Sequence, residues 1–344
     1  MLVYVLSTRV GISITMEQYA NWIFQIRDGQ YNVLNNFFYE PVFGLVLLGY
    51  GKTLASVPLL NRLFCEEQAR FVPLIIFCCL LILIFIKTTD NLNWGSLYFH
   101  SMIVLDPVLT SLPWHLIRTF VAVIVSVYAF KNLLSGIISE RKFLLFCFAS
   151  ALIHWSFWLL VLLATSSYIL IKIKNRKILA IIPVLCAALV MLNQYLTPYF
   201  EVKLFPQLNA SLVYAFLEKV TLILQGKNLG CFAMVLMVLL FSLFAGRNVE
   251  CRYCKVFLYL CGCSYIFAYF LIDSDPILNR CRTIFYPIAL YAFCFIQKKN
   301  YKSLKIRSLK VTSWIFMAGL YLHSVLILNS YQSRISFWGY GYNF

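Results

Sequence analysis

The chain has 344 residues, 62% of them hydrophobic and 12% charged. Such a composition excludes a soluble globular domain of this size and implies an all-α, polytopic transmembrane bundle, with too little polar loop for a separate soluble domain. The net charge of +16, from 29 Lys+Arg against 13 Asp+Glu, is spread over short loops between apolar runs. That footprint suits membrane orientation and anionic lipid headgroups and excludes nucleic acid as a partner.

Residues 1–344 are expected to form one integral membrane domain. No cleavable signal peptide is expected, because the apolar start MLVYVLST is short and no small-residue cleavage site follows it. Either the chain begins outside its first helix, or a longer natural start precedes Met1. Residues 9–39 read as an extramembrane loop with a short amphipathic helix around Met16–Ile26. Glu40-Pro41 then opens an apolar run to about Leu60; proline suits the first turn, and Glu40 suits the positive end of the helix dipole.

A span over about Phe71–Ile86 precedes SLYFHSMIVLDPVLTSLP, which Asp106-Pro107 and Pro113 should break. Arg118 heads a firm span to about Asn132. The run Phe143–Ile171 is long for one crossing and basic at both ends. Two short helices meeting near His154-Trp155-Ser156 would keep both basic clusters on one side, while a single tilted helix is the alternative. Further spans are expected over Leu179–Leu196, Leu229–Ala245, Val256–Ile272, Ile284–Ile296 and Val311–Leu328, giving about ten hydrophobic elements. The basic loop 298–310 anchors the inside assignment, so 197–228 and 273–282 fall on the outer face with 9–39.

An ionisable group inside a span is costly unless it meets protein, water or an opposite charge, so Arg118 and His154 are the leading functional candidates. Arg9, Glu40, Arg280 and Arg282 fall on the same outer face. Converging arginines suit a diphosphate, whose oxygens their forked donors match. Local Asp–Arg pairing with Asp273 and Asp275, or anchoring of a helix end, is the structural alternative for Arg280 and Arg282. His154 suits a general base or a hydrogen-bond donor; His100, His115 and His323 read as packed side chains.

No metal is expected, since the histidines are scattered and the CxxC of Cys251 and Cys254 stands alone among twelve cysteines, most of them inside apolar runs. No nucleotide-binding or hydrolase motif is present either, so no cofactor is expected and the substrate must arrive already energised. A polyprenyl-diphosphate donor meets that need in a membrane.

Five stretches resemble the EpsG/Wzy family of bacterial polysaccharide polymerases. They are Arg9-Val10-Gly11 with Tyr19, Glu40 with Phe43, IRTFVAVIVSVYAF (Arg118) followed by FASALIHWSFWLLV (His154), Arg282 with Tyr286, and the terminal YGYNF. The resemblance departs in two places: the helix expected before Arg9 is absent or short, and Ser13 and Glu17 are the nearest polar residues where an acidic one is usual.

The resemblance implies a metal-independent glycosyltransferase of the bacterial inner membrane, for which a GT-C-like membrane fold is compatible. It would polymerise undecaprenyl-diphosphate-linked oligosaccharide units into O-antigen or capsular polysaccharide on the periplasmic side. His154, Glu40 and Arg118 would be catalytic, while Arg9, Arg280, Arg282 and Tyr286 would bind substrate. Membrane lipids, a chain-length regulator and the flippase of the same pathway would be its partners. A flippase or exporter of lipid-linked sugars, an O-antigen ligase and a membrane acyltransferase are the competing readings.

Overall fold

The computed structural model describes residues 14–29, 41–56, 72–89, 94–106, 109, 113, 116–172, 220–221, 229–271, 275–299 and 304–322. Among these residues the regular structure is all helical. In chain order the α-helices are α1 (Ile14–Arg27), α2 (Pro41–Ser56), α3 (Val72–Thr89), α4 (Trp94–Val104), α5 (Ile117–Leu134), α6 (Glu140–Ile153), α7 (Trp158–Lys172), α8 (Leu229–Asn248), α9 (Arg252–Leu271), α10 (Asp275–Lys299) and α11 (Leu304–Leu322). A 3-10 turn, Trp155–Phe157, separates α6 from α7.

Five helices among the described residues are long and apolar enough to cross a membrane: α3, α5, the 3-10 turn with α7, α8 and α9. This is fewer than the ten or so elements expected. The expected Leu179–Leu196 span lies outside the described residues, α2 and α6 are short, and α10 opens on the polar run DPILNRCR. Along α3 the side chains of Val72, Ile75, Ile76, Leu80, Leu83 and Ile84 are exposed, an apolar face that lipid rather than water would solvate.

The described residues divide into two compact units, one from residues up to 162 together with 297–321, the other from 163–296 with Leu322. In the first unit α5 and α6 form a hairpin. Gly136 takes a positive φ of 71°, and the amides of Ser135, Gly136 and Ile137 turn back onto the carbonyls of Lys131, Leu133 and Asn132. Only glycine adopts that backbone without strain, so α5 ends there. Ser139 then caps α6 by accepting from the Lys142 amide.

Across the hairpin Phe130 meets Phe143, Tyr128 meets Phe146, and Ser126 Oγ donates to Ser150 Oγ at 3.0 Å. These pairs set an antiparallel register. The amphipathic α1 packs on α2 at Gly51, where an added Cβ would lie 2.5 Å from Ile26 Cγ2. Tyr50 of α2 donates to the Pro73 carbonyl at 2.6 Å. The last turn of α3 is satisfied by its neighbours: Lys131 Nζ donates to the Thr88 carbonyl, and Thr89 Oγ1 bonds His100 Nε2. His100 is thus a packed side chain, as expected. Helix α4 ends at Val104, ahead of Asp106-Pro107, where proline forbids a continued helix.

In the second unit α8 and α9 form another antiparallel pair. Gly262 lies against Ser242, and Gly246 against the Tyr259 ring, so small residues let the two backbones approach closely. Helix α10 packs on both: Phe241 stacks on Phe293 at 4.7 Å and on Tyr286 at 6.5 Å, and Tyr265 meets Phe285. Helix α10 starts at Asp275, well before the expected Ile284, and carries Pro287 in its interior.

Candidate functional site

Arg118 is the second residue of α5, where the positive end of the helix dipole gives a cation no help. It is held instead from a distant part of the chain. Its Nε donates to Tyr19 Oη on α1 at 2.9 Å. Tyr19 is 2% exposed and fixed by edge contacts with Trp22 at 5.3 Å and with Phe43 of α2 at 6.0 Å. Engaging Nε sets the plane of the guanidinium, the group whose forked donors match phosphate oxygens.

His154 stands where α6 ends. Its backbone is extended, with φ −147° and ψ 121°, so the helix breaks there and restarts through the 3-10 turn. The ring is 7% exposed and lies near Trp155 and Phe157. Nδ1 accepts from the Ser156 amide at 3.2 Å and lies 2.9 Å from Ser156 Oγ.

The hairpin register brings these two residues to one end. At 1.5 Å per residue, Arg118 lies roughly 24 Å from the Leu134 end of α5, and His154 roughly 21 Å from the Glu140 end of α6. The two therefore sit at the same depth within about one helical turn, far from the Gly136 turn. The Ser126–Ser150 bond, one turn before His154, ties the helices just below them.

The second unit holds Arg282, which is fully buried on α10. Tyr286, four residues on, shares its face and is also fully buried. The hydroxyls of Tyr265 and Tyr269 on α9 and of Ser242 on α8 are further buried polar atoms of this unit. Arg280 is half-exposed and, two residues from Arg282, lies on a different face, so the pair does not converge through one side of the helix. A buried guanidinium differs from the interfacial anchor considered from sequence.

The sequence pattern of the EpsG family matches residues 1–340. The chain belongs to the EpsG family. The family comprises polysaccharide polymerase-like proteins, as the motifs led us to expect. No curated protein and no solved structure matches the chain.

In this EpsG protein, Arg9 and Glu40 lie outside the described residues, as do His115, His323 and Asp273. Phe43, three positions after Glu40, is against Tyr19 and so joins two EpsG motif stretches to the arginine helix. Sequence reasoning singled out Tyr19 without its role, because nothing local signals a bond across 99 positions. It named Ser156 only as part of the helix break and gave it no contact with His154, although a serine two residues after a histidine at a helix break is a local signal for capping. The CxxC is accounted for by capping too: the Cys254 amide donates to Cys251 Sγ at 3.5 Å at the start of α9.

Proposed function

We propose that this EpsG-family protein is a membrane glycosyltransferase that joins oligosaccharide repeat units carried on a polyprenyl diphosphate. The product would be an O-antigen or capsular polysaccharide, built at the periplasmic face of the inner membrane. The observation that carries the reading is Arg118, held through Nε by Tyr19 at the same end of the α5–α6 hairpin as His154. A bundle with more crossings than the five among the described residues, GT-C-like in presenting its site at one membrane face, suits this role.

In the reaction the acceptor hydroxyl oxygen bonds the anomeric carbon of the donor. The bond from that carbon to the diphosphate breaks, and the diphosphate leaves with the electron pair. Arg118, with Arg9, binds the diphosphate and stabilises its growing charge, and Arg282, Arg280 and Tyr286 are further candidates for holding substrate. Glu40 or His154 takes the hydroxyl proton. The energy comes from the diphosphate bond, so the cycle runs without a nucleotide. The flippase and chain-length regulator of the same pathway supply the donor and set the product length.

The test is a gel of surface polysaccharide from cells lacking the gene, complemented with wild-type protein or with Arg118→Ala. Single repeat units on the lipid, with the ladder restored by wild type alone, are expected. Loss of even the single unit would support a flippase or ligase instead. An unchanged ladder with Arg118→Ala at normal protein level would sink the arginine assignment.

A further inference from the structure

We propose that His154 acts as a hydrogen-bond donor through Nε2 rather than as the proton acceptor, and that Ser156 is the positioning residue that sets this role. The inference rests on the polymerase reading and chooses between the two proton acceptors it leaves open.

The backbone decides the tautomer. The Ser156 amide has a proton and no lone pair, so it can only donate, and it is directed at His154 Nδ1 at 3.2 Å. Nδ1 must therefore present its lone pair, and the neutral ring carries its proton on Nε2. Ser156 Oγ, at 2.9 Å from the same nitrogen, can rotate its hydroxyl proton toward it and so agrees with that choice. A histidine that removes a proton through Nε2 needs the opposite arrangement, with Nδ1–H donating to a carboxylate or carbonyl.

The chain conformation enforces the arrangement. His154 is the C-cap of α6 and the N-cap of the 3-10 turn, and its extended backbone lets the ring fold back over the turn's second amide. A mutation that leaves this local cap intact leaves the tautomer intact. The stacked Trp155 and the edge of Phe157 hold the ring in that position.

In the reaction the Nε2–H would donate to a phosphate oxygen of the leaving diphosphate, alongside Arg118 at the same depth of the hairpin. The hydroxyl proton then goes to Glu40, the other acceptor of the polymerase reading.

Two measurements on the full-length protein test this. The first is nitrogen NMR of the histidine-labelled protein in lipid nanodiscs, with the His154 signals assigned by their loss in His154→Gln. The expected result is an unprotonated Nδ1 and a protonated Nε2; a protonated Nδ1 overturns the proposal whatever the protein's activity. The second compares polymer formation by His154→Gln, His154→Asn and His154→Ala at matched protein levels. Glutamine replaces the Nε2–H donor but is no base, so it should stay within about tenfold of wild type. Asparagine, which mimics Nδ1, and alanine should lose on the order of 100-fold, the usual effect of removing one transition-state donor. Glutamine as inactive as alanine overturns the donor role. If Arg118→Ala and all His154 variants polymerise normally, the polymerase site itself is wrongly placed, an outcome the tautomer measurement keeps separate.

Discussion

Tyr19→Phe removes one oxygen and probes the link that assembles the site. The ring keeps its contacts with Trp22 and Phe43, so the packing of α1 on α2 should be unchanged. What is lost is the acceptor of the Arg118 Nε bond at 2.9 Å. Hydrogen bonds to a charged group contribute about 1.5–3 kcal/mol, and Arg118 is only half-buried, so the lower end applies. If that energy orients the guanidinium toward the diphosphate, about 1.5 kcal/mol corresponds to roughly a tenfold fall in rate. The assay is the initial rate of polymer formation in membranes containing equal amounts of each variant. Arg118→Lys keeps the charge but has no Nε, so the double variant should be no worse than Arg118→Lys alone. Tyr19→Phe at the wild-type rate, or two effects that simply multiply, would refute the positioning argument.

Other consequences follow from the packing. Gly51→Ala drives a methyl to 2.5 Å from Ile26 Cγ2 and should cost about 1–3 kcal/mol, read as a lowered melting temperature in detergent; adding Ile26→Ala should recover most of it. Gly262→Ala meets Ser242 Cβ at 3.0 Å and should destabilise the α8–α9 pair, whereas Gly49→Ala, with nothing within 4 Å, should melt like wild type. Arg282→Met replaces a wholly buried guanidinium with an apolar chain of similar length. Removing one member of a buried polar contact costs stability, so polymer is compared at matched protein levels, where it should fall about 100-fold or more. Normal polymer in this variant would remove Arg282 from the diphosphate site.

How much was legible depended on whether a residue's role is local. The break at His154, the end of α4 before Asp106-Pro107 and the short helix around Met16–Ile26 all rest on nearby residues, and the structure has each of them. Apolarity alone starts α10 at Ile284, nine residues after its actual start at Asp275. A run such as DPILNRCR looks like a loop by that measure, yet Arg282 within it is buried helix. Periodicity also separates Arg280 from Arg282, which their closeness in sequence had joined. The Arg118–Tyr19 bond was invisible for a different reason: it depends on how α1, α2 and α5 pack. Ser156 was legible in principle, since the cap it makes spans two residues.

The central claim is that this chain itself transfers sugar units from a lipid diphosphate. The direct measurement is to purify the full-length protein into proteoliposomes and add the lipid extract of cells lacking the gene, which holds the unpolymerised substrate. The account predicts that wild-type protein builds a ladder of polymer and releases polyprenyl diphosphate without any nucleotide, and that Arg118→Ala does neither. Absence of polymer with folded wild-type protein, or an equal ladder from Arg118→Ala, would contradict it.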